Sequence, residues 1–583
     1  MASSSRLRRL LSYLVPYKKD VWLGVIALLI VNGLGVYLPL ILSNTIDSLR
    51  TEFGLQTLTR SVLLMLVLAS LMWAMRMFSR VLIFGIGRQI EFDLKQKIFQ
   101  HLLKLEPAYF ANQSSGDLIN RATSDVDNIR RLLGFSVLSL ANTLFAYVMT
   151  LPVMLWLHGR LSLMAIAVYP AMLLTVQLFS SRLRDEQKNV QEELSELSQL
   201  IQEDMSGIAL IKIYAQEAHE REAFNGRNQK LLRANLGLAR TRNLLFPLIE
   251  GISYVSLLIL LAFGTKAIAA GELTVGNFVA LILLIERLVF PTALLGFTIT
   301  SYQRGEVSID RVEAILDNEP HIQDDNAAIT IDPENVKGQI TAKNLTFSYP
   351  GGDRPALEKL NFTINPGETI AIVGSIGSGK STLANALPRL IDIEPGQLFL
   401  DGTDITDIRL QDLRKAIAYV PQESFLFSSK IRENISYGLP GSPQPEIEDS
   451  AQQAQIHSEI LNFPKQYETL VGERGITLSG GQRQRSSLAR AFMIDAPVLI
   501  LDDALSSVDN RTATEILDYL SNSPQTKTVI FITHQLSAAA KGDRLFVMDH
   551  GKIVQTGIHA ELVEQEGLYK QLWQQNQLVE ILQ

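Results

Sequence analysis

The 583-residue chain contains no cysteine, so disulfides and thiolate metal sites are excluded outright. It also has no basic excess: 53 Lys and Arg stand against 60 Asp and Glu, a formal net charge of −7. A nucleic-acid binder would show a positive footprint, so no nucleic-acid partner is expected. Charged residues make up only 19% of the chain and hydrophobic ones 47%, and the apolar weight is concentrated before residue 305. A chain of this length is expected to fold as several domains.

The apolar weight falls into six runs, 21–42, 61–86, 135–157, 161–179, 243–269 and 275–301. Each is long enough to cross a hydrocarbon core of ~30 Å at ~20 residues per span. Only His158-Gly159-Arg160 separates the third from the fourth, a hairpin-like connection. Asn32, Pro39 and Asn44 occupy the place of a small-residue cleavage site, and more spans follow, so the first run is not read as a signal peptide. Lys and Arg collect before the first span (Arg6, Arg8, Arg9, Lys18, Lys19) and in the connections 87–134 and 180–242. By the positive-inside rule these segments face the cytoplasm, in a cell-membrane protein whose N-terminus and C-terminal half are both inside. The expected layout is an N-terminal segment 1–20, a six-span domain 21–305, a linker 306–337, a second domain 338–575 and a tail 576–583.

The long cytoplasmic connections keep helical spacing, with Ile90, Leu94, Ile98 and Leu102 in one and Leu194, Leu197 and Leu200 in the other. Spans should therefore continue as helices beyond the lipid. Each connection breaks near its middle, at 106–116 and 204–209, where a short transverse helix or a solvated hairpin tip would fit. Charges within the spans are costly and point to a cavity or a partner. Glu250 and Arg80 lie close enough to the cytoplasmic ends to snorkel, Arg76 is deeper, and Glu286 and Arg287 lie near the midplane. Those last two, being adjacent, point ~100° apart on a helix.

After about residue 338 the pattern becomes alternating strands and glycine-rich turns, an α/β class. Its most informative stretch is Gly374-Ser375-Ile376-Gly377-Ser378-Gly379-Lys380-Ser381. The glycines let successive backbone N–H groups converge on phosphate oxygens, Lys380 reaches the terminal phosphates of ATP, and the Ser381 hydroxyl can ligate Mg²⁺. A buried strand precedes it, and the helix that begins with Ser381 and Thr382 presents its N-terminus to the anion. A second strand, 498–502, delivers Asp502 and Asp503 to its C-terminal end, the edge where ligands bind in parallel sheets. Asp502 is placed to hold Mg²⁺, and Asp503 to orient or deprotonate the attacking water.

On these residues nearly the whole chain resembles a half-transporter of the ATP-binding-cassette exporter superfamily, six spans fused to one nucleotide-binding domain. The resemblance implies that Tyr349 stacks on adenine and that Gln422 senses Mg²⁺. It implies that 471–475 forms the loop that meets the transverse helices. Ser479, Gly480 and Gly481, completed by Gln482, resemble the signature that closes on ATP held by a partner chain. Residues 506–509 resemble the loop crossing between the two sites, and His534 the histidine that touches the γ-phosphate. In one respect the chain departs from the pattern: most competent members carry glutamate where Asp503 stands. That resembles exporters in which such a half pairs with a different half bearing glutamate, a homodimer being the alternative. The function implied is ATP-driven export of an amphiphilic small molecule, lipid or peptide, with a regulatory ATP-binding half as the competing reading.

Overall fold

The computed structural model describes residues 10, 12–51, 54–324, 328–352, 354–522 and 527–582. Arg6, Arg8 and Arg9 of the basic N-terminal segment lie outside the described residues, as does Gln583 of the tail. The chain divides into two compact units, 1–103 with 114–318, and 104–113 with 319–583.

The first unit is built from long helices: α1 (Lys18–Thr51), α2 (Leu55–Leu102), α3 (Val137–Ile166), α4 (Tyr169–Ser206), α5 (Glu217–Ala269) and α6 (Val275–Leu316). Among the described residues five helical stretches are long and apolar enough to cross a membrane, and one of them, Ser115–Ser206, has 92 residues. That stretch is broken at His158, whose backbone leaves the helical region (φ −164°, ψ 98°). The Ser162 hydroxyl reaches the Met154 carbonyl at 2.6 Å, whereas eight residues of straight helix span about 12 Å. The chain therefore doubles back there, and its two arms make six apolar helices in all. A second interruption at Ala167–Val168 precedes Pro170, which lacks the N–H a continuous helix would use.

The 48 residues of α2 and the 53 of α5 rise about 70–80 Å at 1.5 Å each, more than twice the hydrocarbon thickness. Within the bundle α6 is the most enclosed, with Leu281, Leu284, Ile285 and Leu288 buried against α3, α4 and α5. Lipid provides no hydrophobic drive between helices, so interhelical hydrogen bonds matter more. Tyr169 donates to the Ile285 carbonyl at 2.7 Å and Ser256 to that of Ala165 at 2.8 Å. The two cytoplasmic breaks carry short helices, Pro107–Ala111 and Ile208–Ile213. The first belongs, with residues 104–113, to the second unit.

Among the described residues the second unit has ten strands: β1 (Ile340–Phe347), β2 (Leu357–Ile364), β3 (Thr369–Gly374), β4 (Leu398–Leu400), β5 (Thr403–Asp404), β6 (Ile417–Val420), β7 (Val498–Asp502), β8 (Thr528–Ile532), β9 (Arg544–Asp549) and β10 (Lys552–Gly557). They form an antiparallel sheet, β2-β1-β4-β5, and a larger sheet, β10-β9-β3-β8-β7-β6. In the larger sheet β6, β7, β8, β3 and β9 are parallel neighbours. Ile500 and Ile530 face one apolar core while Leu499 and Phe531 face another. Both faces are covered, which is why these strands read as unbroken apolar runs rather than alternating ones.

Candidate functional site

Parallel pairing brings the C-terminal ends of β6, β3, β7 and β8 to one edge of the sheet. Gln422 follows β6, the glycine-rich turn follows β3, Asp502 ends β7, and His534 lies two residues past β8. Tyr349, Gly377, Ser378, Gly379, Lys380, Ser381, Thr382, Gln422, Asp502, Asp503 and His534 accordingly line one cleft of about 410 Å³. Gly374 stands at the end of β3 and contributes its carbonyl to Lys380.

The turn between β3 and α7 (Lys380–Ala386) depends on its glycines. Gly374, Gly377 and Gly379 have φ of +150°, +78° and +99°, a region closed to most side chains. A Cβ on Gly374 would meet the Met548 carbonyl oxygen at 2.0 Å, and one on Gly379 the Ala356 carbonyl oxygen at 2.4 Å. Lys380 is only 6% exposed, and its Nζ donates to the carbonyls of Gly374 and Ser375 at 2.9 and 2.8 Å. No ion pair to Lys380 is present among the described residues. Burial pushes its ammonium below its ordinary value, opposed by the Asp502 and Asp503 carboxylates. A buried ammonium held by neutral carbonyls fits an anionic ligand.

Asp502, 2% exposed, accepts from the Ser381 hydroxyl at 3.0 Å and from the Tyr419 hydroxyl at 3.4 Å. Burial pushes this carboxyl up, against the hydrogen bond from Ser381. A desolvated carboxylate beside a hydroxyl is a hard oxygen donor pair and fits Mg²⁺. Asp503 lies in the left-handed region (φ +50°) with its N–H on the Ile532 carbonyl at 2.9 Å. Its carboxylate has no hydrogen bond or ion pair among the described residues. Tyr349 is 45% exposed and packs edge-on against Phe347, with its hydroxyl 3.2 Å from that of Thr382. Its ring is thus partly exposed at the cleft.

The signature residues are elsewhere. Gly480 lines a second cleft of about 540 Å³ with Glu473, Arg474, Arg483 and Gln484, and Gln422 lines both clefts. Ser479 caps α8 (Gly480–Ile494): its Oγ accepts from the Gln482 N–H at 3.2 Å, and its own N–H donates to Gln482 Oε1 at 2.9 Å. Gln482 Nε2 donates to Glu459 at 2.9 Å, so both ends of this amide are engaged within its own domain. The Ser479 hydroxyl proton and the first N–H groups of α8 remain available as donors. A Cβ on Gly481 would meet the Ser507 carbonyl oxygen at 2.8 Å.

Two contributors were not singled out by the sequence reading. Tyr419, inside the motif that carries Gln422, shares its one hydroxyl proton between Asn385 Oδ1 at 3.0 Å and Asp502 at 3.4 Å. Gln484 fastens α8 to the segment after β7 through Ser506 Oγ (2.9 Å) and the Ser507 N–H (2.7 Å). The tyrosine could have been suspected as a polar aromatic in a buried strand. The glutamine carries no signal beyond following the signature.

A glycine turn opening a helix, a buried lysine, and a strand-end carboxylate beside a helix hydroxyl define a P-loop ATPase domain, here on a chain whose other unit is membrane helices. Residues 21–292 match the family described as the ABC transporter transmembrane region, and 357–506 match the ABC transporter family. The chain is 31% identical to an ATP-dependent lipid A-core flippase of Syntrophus aciditrophicus, over 97% of this chain and 94% of that protein. It is 32% identical to the multidrug resistance-like ATP-binding protein MdlA of Escherichia coli, over 98% and 97% respectively. A bacterial Atm1-family ABC exporter solved with ATP bound superposes with a TM-score of 0.76 at 26% identity, covering 96% of this chain and 99% of that one. The chain belongs to the ABC transporters. It is a multi-pass membrane ATPase coupled to export, with its nucleotide-binding domain in the cytoplasm.

Gly374→Ala should abolish ATP binding, because its Cβ has no room, whereas Gly377→Ala meets nothing within 4 Å and should weaken binding only by a left-handed strain of about 1–2 kcal/mol. Titration with a fluorescent ATP analogue checks this; equal losses would mean the crowding at Gly374 is irrelevant. Asp502→Asn removes a desolvated charge, so nucleotide-free protein should gain about 1 kcal/mol, a rise of about 2–4 °C in the unfolding midpoint. The same variant should lose the extra stabilisation that ATP with Mg²⁺ gives to the parent protein, and a thermal scan reads both effects.

Proposed function

We propose that this chain is one half of a dimeric exporter that moves an amphiphilic small molecule, lipid or peptide by alternating access. ATP is sandwiched between the nucleotide-binding domains of two chains. The observation that carries this reading is the cleft in which buried Lys380, without an ion pair, shares one sheet edge with buried Asp502. The names of the relatives, a lipid A-core flippase and a multidrug resistance protein, support an amphiphilic cargo.

In this reading the partly exposed ring of Tyr349 stacks on adenine, and the N–H groups of Gly377 to Thr382 with Lys380 hold the phosphates. Ser381, Asp502 and Gln422 hold Mg²⁺, which when bound neutralises phosphate charge. Asp503 orients the attacking water and His534 meets the γ-phosphate. Ser479, Gly480 and Gly481, with Gln482 fixing their cap, face the partner's ATP, since the cradle leaves one side of the γ-phosphate without donors. The separation of the signature from the cradle within one chain supports this exchange. Basic residues at 18–19 and in the cytoplasmic connections support a cytoplasmic N-terminus.

Asp503 supports a heterodimer in which this chain holds the slower site and lends its signature to a faster one. Its side chain is one methylene shorter than glutamate, and a misplacement of ~1 Å in a positioning group can cost on the order of 10²-fold in rate.

Lys380→Ala should eliminate ATP-driven transport in inside-out vesicles; transport at the parent rate would remove the phosphate-binding assignment. In the complex as it purifies from membranes, Ser479→Ala should lower turnover at the partner's cradle at least about 10-fold while labelled ATP still binds at Lys380. Loss of that binding instead would place the signature in cis. Asp503→Glu should raise hydrolysis at this chain's own cradle by about 10-fold or more, despite a left-handed backbone that suits aspartate better than glutamate. No gain, together with brisk turnover by the chain alone, would favour a competent homodimer.

A further inference from the structure

The membrane unit holds a cavity of about 830 Å³ between α1, α2, α3 and α6. Arg76, Arg80 and Arg287 all line it, and no aspartate or glutamate does. None of the three has an ion pair among the described residues. Arg287 lies about 18 Å along α6 from Val275, near the middle of a hydrocarbon core of ~30 Å. Arg287 is partly buried, whereas Arg76 and Arg80 are exposed; arginine cannot discharge itself by losing a proton, so three cations grouped at membrane depth need a counter-charge from elsewhere.

The local geometry makes that need sharper. Arg76 and Arg80 are one turn apart on the same face of α2, where like charges repel. Arg287 donates through Nη2 to the Asn32 carbonyl at 3.1 Å and to Asn32 Oδ1 at 2.9 Å, acceptors that orient the guanidinium without neutralising it. Asn32 is itself fixed, donating to the Leu28 carbonyl at 2.9 Å and to Asn142 at 3.2 Å. Nη1 of Arg287 occupies the space a Cβ on residue 35 would take, at 1.3 Å, so Gly35 is what lets it lie against α1. Among the described residues no acceptor meets Nη1. The neighbouring carboxylate offers no relief, because Glu286 does not line the cavity. The remaining walls are largely apolar, among them Leu28, Met72, Phe84 and Phe290.

We propose that this cavity binds an anionic amphiphile, its phosphate or carboxylate headgroup held by Arg76, Arg80 and Arg287 and its hydrocarbon part against the apolar walls. The inference rests on the export reading above and names the class of cargo within it. Guanidinium groups match such headgroups with paired hydrogen bonds, and the apolar walls select against an anion without a hydrocarbon part.

The test uses the purified full-length complex in phosphatidylcholine nanodiscs, with lauryl phosphate, laurylphosphocholine of the same chain length, and inorganic phosphate as probes, read by calorimetry. Lauryl phosphate should bind at least about 10-fold more tightly than laurylphosphocholine, and inorganic phosphate should show no comparable affinity. Arg287→Gln, Arg76→Gln and Gly35→Ala should each shrink that preference severalfold, with Arg287→Lys retaining more of it than the glutamine. Equal binding of the two lauryl probes, or a preference that survives all the arginine variants, would overturn the proposal and leave the arginines as groups that reach for the membrane surface. Binding of inorganic phosphate as tight as lauryl phosphate would overturn the amphiphile. The matched probes need no variant, so a misfolded substitution does not blunt the test. ATP-dependent uptake into inside-out vesicles separates the two readings: no uptake of any probe while the lauryl phosphate preference persists sinks export alone, and equal uptake of both lauryl probes sinks the anion site alone.

Discussion

The parallel register of β6, β7, β8 and β3 governs where Gln422, the glycine-rich turn, Asp502 and His534 end up. Ile370 pairs with Ile530, Ile530 with Ile500, and Ile500 with Tyr419. Residues separated by more than a hundred positions in sequence thereby emerge at one edge. A slip of one residue would carry Asp502 about 3.3 Å along the strand and turn its side chain to the other face. Its hydrogen bond with Ser381 would not survive that. Packing opposes the slip, because Val498 and Ile500 fill one core while Leu499 and Leu501 fill the other. The apolar sheet interior is thus what holds the carboxylate and the lysine in range of one ligand.

A common electrostatic condition links the two units, each considered by itself. In the nucleotide-binding domain, Lys380 and Asp502 are buried and each is bonded to neutral partners. In the membrane unit, Arg287 is bonded to Asn32. Neutral acceptors fix a charged group's position but recover only part of its lost hydration. The unliganded protein therefore carries a desolvation cost that a ligand of opposite charge relieves. Such sites are less stable than apolar replacements would be, and that cost makes binding selective for charge.

Much of this was legible in the sequence, and what was hidden has identifiable causes. Apolar runs announce membrane helices because lipid tolerates little else. The phosphate cradle shows because glycine is required at left-handed positions and because lysine and serine follow it at fixed spacing. The bend at Ala167–Val168 was missed inside an apolar run, where Pro170 is the only mark. Composition cannot say which way a charge faces, and only the folded unit shows that Arg80, read as near enough to the cytoplasm to snorkel, also lines a cavity with Arg76 and Arg287. The left-handed backbone of Asp503 was also invisible, since aspartate adopts it without any accompanying glycine. Gln482 was read as a nucleotide ligand from the resemblance. Its place as the third residue of α8 also fits a capping box, and the hydrogen bonds show it acting as one.

The bonding around Gln484 ties the two halves of the nucleotide chemistry together within a single chain. This side chain belongs to α8, whose N-terminus carries Ser479, yet it grips the segment that begins with Asp503. Its Nε2 lies 3.4 Å from the Asp503 carbonyl and 2.9 Å from Ser506 Oγ, and its Oε1 accepts from the Ser507 N–H at 2.7 Å. Gly481 is packed so closely on the Ser507 carbonyl that even a methyl group would not fit. A backbone shift at Asp503 therefore cannot be absorbed by slack between the segment and the helix; it moves the helix. In the proposed dimer, where the cradle of one chain is completed by the signature of another, loss of the γ-phosphate at one site would displace the donors offered to the other. Two sites in a dimer built as proposed would turn over under mutual constraint.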